Sequence, residues 1–307
     1  MQFDPQGIAI VDLSQPAAEV ARAVAMACAS SGCFHIVHHG VSPELQSRVW
    51  AEMTAFFTAP LAAKRAVAPT SATDDRGYSS FGSENVAAFM GRKDEPNDPV
   101  EKFAFSHPGL ATGDVHARPN VWPTDCPSFR TTMEAYYHAV KAVSAQLFAH
   151  FAAALQVDPV YFASRVTTAP DSVKLNYYPP TSGAVRRFAE HTDSVPFTIL
   201  LMDGTPDALH VRTQQGWVPV APLAGGLFVN LGDVLQRWTN DRWVATPHRV
   251  DAPATAAARK SIAYFVMLNG DAVIECIPSC AKDAAPKYAP VTFAGFVQEK
   301  MQRLVGA

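Results

Sequence analysis

The sequence predicts a mixed α and β chain closing into a distorted double-stranded β-helix (jelly roll) with an N-terminal helical portion and a long supporting helix. Three observations predict it. After Asp171, short apolar segments follow one another closely, punctuated by Gly, Pro, Asp and Asn, the pattern of an antiparallel sandwich or roll. Before them Met133, Tyr137, Val140, Leu147 and Phe151 fall on one helical stripe. Earlier still, short strands alternate with helices.

Element by element, Ile8–Leu13 reads as a short strand. Pro16 is placed for the first turn of a helix running to about Ser31, and Gly32 can end it. Cys33–His38 alternates as a second strand. Ser42-Pro43 opens another helix, with Leu45, Val49, Met53 and Phe56 at helical spacing. Residues 66–126 are rich in Pro, Gly, Asp and Ser, and read as a long, partly ordered connection of the kind that carries function in enzymes. The long helix spans about Ser128–Gln156. Strands are expected at Val173–Tyr178, Val195–Leu201, Leu209–Arg212, Trp217–Val220, Leu227–Leu231, Ser261–Leu268 and Ala272–Ile277, with Thr246–Val250 another. The division is 1–126 and 127–307, working as one functional unit.

At 307 residues with 48% hydrophobic content the chain can bury a large core. A net charge of −3 and no long basic stretch argue against nucleic acid as a partner. No apolar run approaches the roughly 20 residues of a membrane span, and the N-terminus lacks a basic start followed by an apolar stretch. The five cysteines are odd in number and scattered. Cys276 and Cys280 could be half a zinc site, but no second pair matches them. A cytoplasmic location with reduced thiols is the expectation.

The chemistry sits in His191-Thr-Asp193, followed by His248 and then Arg259-Lys-Ser261. On a strand, residues i and i+2 share a face, so His191 and Asp193 can aim into one cavity while His248 arrives from another strand. Two imidazoles and a carboxylate suit Fe(II) with open coordination positions, zinc being the alternative metal. Among ten histidines a single His-x-Asp is a weak signal; the ordered set is what informs. Arg259 and Ser261 also share a face, and a guanidinium fork beside a hydroxyl can grip a carboxylate.

With these residues in order, the chain resembles the isopenicillin-N-synthase-like family of Fe(II)/2-oxoglutarate-dependent dioxygenases. The likeness covers nearly the whole sequence: Ile8–Leu13, Gly32–Gly40 and Arg76-Gly-Tyr78 early, then Asn176-Tyr-Tyr-Pro-Pro180, His191-Thr-Asp193, Asn230-Leu-Gly-Asp233, Trp238-Thr-Asn240, Pro247-His-Arg-Val250 and Ala272–Cys276. It implies that His191, Asp193 and His248 ligate iron and that Arg259 and Ser261 bind the far carboxylate of 2-oxoglutarate. It also implies that Asn176 and Tyr178, on one strand face, hydrogen-bond that co-substrate, while Tyr177 packs outward. The implied reaction uses O2, decarboxylates 2-oxoglutarate to succinate and CO2, and hydroxylates or otherwise oxidises a small organic molecule through a ferryl species, the hard chemistry being the metal's.

Two departures from the family pattern stand out. His248 to Arg259 is one residue longer than expected, suggesting a bulge or longer turn at Ala252–Ala258, and a Gly-Leu-Gln-Val strand is replaced by Ala208–Val211. For the substrate, Phe265 shares the Ser261 face and either contacts it or fills the barrel. Arg187, at the parity of His191, and Arg76 are candidate partners for an anionic substrate, with plain surface exposure the alternative for each. Phe197 and Leu200 are candidate wall residues. Two other functions compete: a 2-oxoglutarate-independent iron oxidase performing oxidative cyclisation, in which Arg259 and Ser261 grip the substrate, and a non-enzymatic metal-binding ligand sensor. Substrate identity, reaction outcome and oligomeric state are left open by these residues.

Overall fold

The computed structural model describes residues 1–70, 75–109, 119–180, 186–253, 257–282 and 285–305, for 89 and 301–305 the backbone alone. Its strands are β1 (Gln2–Phe3), β2 (Ala9–Asp12), β3 (Cys33–Val37), β4 (Gly77–Ser79), β5 (Glu101–Ser106), β6 (Ser172–Tyr178), β7 (Arg186–His191), β8 (Phe197–Met202), β9 (Leu209–Thr213), β10 (Gly216–Pro219), β11 (Leu227–Leu231), β12 (His248–Asp251), β13 (Arg259–Val266), β14 (Val273–Ile274) and β15 (Val291–Thr292). The helices are α1 (Ala17–Ser30), α2 (Pro43–Thr58), α3 (Leu61–Arg65), α4 (Val86–Phe89), α5 (Pro127–Leu155), α6 (Val160–Ala163), α7 (Asp233–Trp238) and α8 (Phe293–Val305).

Two sheets face one another. The larger has nine strands in the order β1-β2-β3-β11-β8-β13-β6-β5-β4, and the smaller has four, β10-β9-β12-β7. All pairings are antiparallel except β2 with β3. This is the expected double-stranded β-helix. The N-terminal elements do not stand apart from it, because β2 and β3 extend the large sheet from one side.

The segment 66–126 is more ordered than its composition suggests. Within it β4 and β5 close the other edge of the large sheet, with β5 buried along its whole length and paired to β6. Within Glu101-Lys-Phe-Ala-Phe-Ser, Lys102 and Ala104 face the cavity, while Phe103 and Phe105 turn to the other side and pack on Phe129 and Trp122.

Helix α5 lies across the outer face of the large sheet, and α1 and α2 flank it. Phe148 and Phe151 meet Phe197 of β8 with ring centroids 5.1 and 5.2 Å apart, spacings at which edge-to-face aromatic pairs are favourable. Tyr177 turns to the same side and stacks on Phe57 at 5.3 Å. In α2, Pro43 occupies the first turn and the Ser42 hydroxyl accepts the Leu45 N–H at 3.2 Å, supplying a partner to an otherwise orphaned donor. After α1, Gly32 has φ +70°, and a Cβ there would lie 2.0 Å from the Val244 carbonyl oxygen. Both the backbone turn and the close packing therefore demand glycine.

Candidate metal and co-substrate site

The cavity opens between the two sheets, with a volume of about 1250 Å³. A single small ligand usually occupies roughly 300–1,000 Å³, so this one has room for two. His191, Asp193 and His248 stand on its wall with their donor atoms within 4.8 Å of one another. Among the described residues this is the single group of three His, Cys, Asp or Glu side chains so arranged.

His191 ends β7 and His248 begins β12, and the two are directly paired across the small sheet. Asp193 departs from the expectation of a shared strand face: β7 stops at His191, and Asp193 sits in the loop beyond it. What aims its carboxylate is a set of contacts from elsewhere. Thr198 on β8 donates its hydroxyl to Asp193 Oδ2 at 2.6 Å, and Asn230 on β11 donates its amide N–H at 2.8 Å. Those two residues are register partners on neighbouring strands of the large sheet. Oδ1 is left facing the imidazoles, 3.6 Å from His191 Nε2 and 3.9 Å from His248 Nε2.

The backbone also fixes the imidazoles. His191 Nδ1–H donates to the Ala189 carbonyl at 2.8 Å, and His248 Nδ1–H donates to the Thr246 carbonyl at 2.9 Å. A proton on each Nδ1 leaves each Nε2 lone pair turned to the cavity, the arrangement that metal-ligating histidines require. Burial, followed by the neighbouring His248, pushes His191 down to about 3, so it is neutral at ordinary pH. Burial works against the Asp193 charge, yet the two imidazoles and the bonds from Thr198 and Asn230 hold its carboxyl below the usual range. The donor set thus fits a divalent cation bound by two nitrogens and one oxygen, with positions to spare.

The loop carrying Asp193 is closed by Gly232. Its N–H donates to the Pro196 carbonyl at 2.8 Å, and the next N–H, of Asp233, donates to the Asp193 carbonyl at 2.9 Å. A Cβ at Gly232 would lie 2.1 Å from the Val195 oxygen and 2.6 Å from the Asp193 oxygen.

Arg259, Ser261, Asn176 and Tyr178 share the inner face of the large sheet as two adjacent rows, Arg259 opposite Tyr178 and Ser261 opposite Asn176. The Arg259 side chain is 2% exposed. It donates to the Ser261 hydroxyl at 3.2 Å and lies over the Tyr178 ring at 5.1 Å. Among the described residues no carboxylate is within ion-pair distance of it. Burial pushes the Tyr178 phenol up to about 12, with Arg259 pulling the other way, so the hydroxyl keeps its proton and can donate it in a hydrogen bond.

The substrate candidates divide. Phe265 and Leu200 line the cavity. Phe197 does not: on β8 it alternates with Thr198 and Leu200, and so faces α5. Arg187 is fully buried, donates to the Ala257 carbonyl at 2.8 Å and is not on the wall. An irregularity in the β7–β12 register explains this: His191 pairs with His248 but Phe188 with Val250, so an extra residue reverses the parity. Phe188 takes the lining position instead. Arg76 is buried beside Asp75, bonded at 2.6 Å, and is also off the wall. The expected irregularity at Ala252–Ala258 has its middle, 254–256, outside the described residues.

Sequence reasoning gave no site role to Thr198, Lys102, Lys174 or Glu84, nor to Asn230, which it had quoted only as part of a motif. Lys174 was findable, since it lies two residues before Asn176 on the same strand. Lys102 is bonded to Glu84 and lies 4.3 Å from the Phe188 ring centre. Burial pulls Lys102 down and Glu84 pulls it back up.

Comparison with known proteins agrees with this geometry. The 2OG-Fe(II) oxygenase superfamily matches residues 170–268, and the N-terminal region described as non-haem dioxygenase in morphine synthesis matches residues 8–125. A 2-oxoglutarate-Fe(II) type oxidoreductase of Emericella nidulans is 30% identical over 302 residues, covering 94% of this chain and 86% of the relative. A 2-oxoglutarate-dependent dioxygenase of Penicillium crustosum is 36% identical over 243 residues, 76% of this chain and 73% of that one. The crystal structure of a full-length Neurospora crassa protein in complex with alpha-KG and thymine superposes with a TM-score of 0.83 at 26% identity, covering 98% of each chain.

Proposed function

The chain belongs to the Fe(II)/2-oxoglutarate-dependent dioxygenases, and on that premise we propose that it hydroxylates a C–H bond of a small organic molecule held between the metal and the large sheet. In this reading His191, Asp193 and His248 hold the iron, which when bound supplies the oxidising chemistry. Arg259 and Ser261 bind the far carboxylate of 2-oxoglutarate, and Tyr178 and Asn176 donate to its oxygens.

One observation carries the assignment of the co-substrate end: Arg259 is a buried cation without an acid partner among the described residues. A charge in that setting is costly until an anion compensates it. The fork and the adjacent Ser261 hydroxyl present donors of the type a carboxylate accepts. The oxidative cyclisation reading would give those donors to the substrate instead, but relatives named for 2-oxoglutarate favour the co-substrate.

The protein's own contributions are positional. The backbone carbonyls of Ala189 and Thr246 keep the imidazole tautomers. Thr198 and Asn230 occupy Oδ2 of Asp193, leaving Oδ1 for the metal. Phe265, Phe188 and Leu200 line the cavity with apolar surface, which excludes water from the reacting positions. The Neurospora crassa structure holds alpha-KG and thymine together, which supports two occupants for a cavity of this size. All five cysteines are free thiols, in keeping with a reducing, cytoplasmic setting, and no described helix is long and apolar enough to cross a membrane.

The test is aerobic incubation with Fe(II) and 2-oxoglutarate. Succinate should be released by the wild type and lost in His191→Ala and His248→Ala; succinate release that survives both substitutions would sink the assignment.

A further inference from the structure

Lys174 leaves β6 on the same face as Asn176, and its register partners Ala104 and Ala263 line the cavity with it. Its ammonium lies 5.7 Å from the centre of the Phe265 ring. Two of the other three cations on the wall have acid partners. Lys102 is bonded to Glu84, Lys300 to Asp233 at 2.5 Å, and Arg259 faces the co-substrate end.

Lys174 has no carboxylate within ion-pair distance among the described residues. Glu84 acts on it electrostatically but is bonded to Lys102, so one carboxylate serves two ammonium groups. Asp98, behind Lys102, is off the wall and turned to backbone, accepting the N–H groups of Val86 at 2.7 Å and Ala189 at 2.9 Å. On the wall itself the group therefore sets two ammonium ions, Lys102 and Lys174, against the one carboxylate of Glu84, with Asp98 acting on Lys102 from behind. Lys174 stands beside the Phe265 ring and the small side chains of Ala104 and Ala263. A partly buried cation in such surroundings gains most from a charged hydrogen-bond acceptor.

We propose that Lys174 anchors a carboxylate of the prime substrate, and that the substrates are small monocarboxylic acids whose apolar body lies against Phe265, Phe188 and Leu200. The proposal rests on the iron and 2-oxoglutarate reading above, and the test separates the two.

The full-length protein is loaded anaerobically with Fe(II) and then 2-oxoglutarate. A visible charge-transfer band reports the metal and co-substrate site, and its absence in the wild type sinks that reading and this one with it. With the band present, benzoate, phenylacetate and cyclohexanecarboxylate are titrated beside their primary amides, followed by perturbation of the band and by calorimetry. At least one acid should outbind its amide by roughly tenfold or more, the worth of a charge-assisted bond. Lys174→Met should level the pair and Lys174→Arg should keep a preference, while both hold 2-oxoglutarate with wild-type affinity. Lys174→Gln repeats the test should the Met variant fail to form the band. Failure of every acid to outbind its amide overturns the proposal, as does a preference that survives removal of the charge. Weakened 2-oxoglutarate binding in the Met and Gln variants would instead give Lys174 to the co-substrate, and equally overturn it.

Discussion

The Thr198 hydroxyl donates to Oδ2 of Asp193 over 2.6 Å, reaching from a strand of the large sheet to a loop that follows a strand of the small one. Asn230 completes the grip on the same oxygen. Removing such supporting bonds from a metal-ligating carboxylate typically costs about 10–100-fold in affinity. Thr198→Val and Asn230→Ala should each weaken Fe(II) binding by that order, measured by anaerobic titration, with the fold intact by circular dichroism. Unchanged affinity in both would show that the loop alone orients Asp193.

Arg259→Met should raise the KM for 2-oxoglutarate by on the order of 10- to 100-fold, the loss of charged hydrogen bonds. Iron affinity in the absence of 2-oxoglutarate should stay near wild type, since Arg259 meets Ser261 and Tyr178 rather than His191, Asp193 or His248. Steady-state succinate assays against co-substrate concentration decide it, and an effect confined to kcat would contradict the placement.

Gly232→Ala should impair the metal site from a distance. The added methyl would stand within 2.1 Å of the Val195 oxygen and 2.6 Å of the Asp193 oxygen, and backbone must move to admit it. Iron affinity should fall at least about tenfold, comparable to losing a supporting bond, and the melting temperature should drop. Wild-type iron binding in this variant would mean that the loop tolerates displacement.

Stability should decline on mild acidification, and His39 is one cause. Its Nδ1 accepts the Val41 N–H at 3.1 Å while Nε2–H donates to the Gly225 carbonyl at 2.9 Å, a pattern open only to the neutral ring. Burial lowers its pKa, with the Gly225 bond opposing and His38 adding to the fall. The unfolded chain therefore takes up a proton near pH 6.5 that the folded chain refuses until lower pH. The sign follows from linkage: stability is unaffected above about pH 6.5 and decreases below it until the folded value is reached. Urea midpoints at pH 5.5 and 7.5 should show the loss, and His39→Gln should lessen the difference between them.

Much of the fold was readable because its signals are local. The stripe of α5, the apolar run Leu227–Leu231 and the Ser42-Pro43 helix start depend on near neighbours, and each lies within a residue or two of its expected bounds. The cluster of His191, Asp193 and His248 was readable as residue types in order, but its geometry was not. Asp193 is aimed by Thr198 and Asn230, which meet it only through tertiary structure. Arg187 was misplaced by strand parity because one extra residue in β7 turns Phe188, not Arg187, to the cavity. Phe197 was misassigned for want of choosing between the two faces of β8, and β5 was hidden in a Pro- and Gly-rich stretch because its pairing partner, β6, lies far along the chain.

His191 and His248 ride on one layer of the barrel, whereas Asp193 is leashed by its second oxygen to the other. A ferrous ion held by all three would therefore rivet the layers along their shared seam, making occupancy a mechanical matter as well as a chemical one. Chelation should loosen that seam: amides of β7 and β12 should exchange with deuterium faster, while those of α5, packed on the far side, keep their protection.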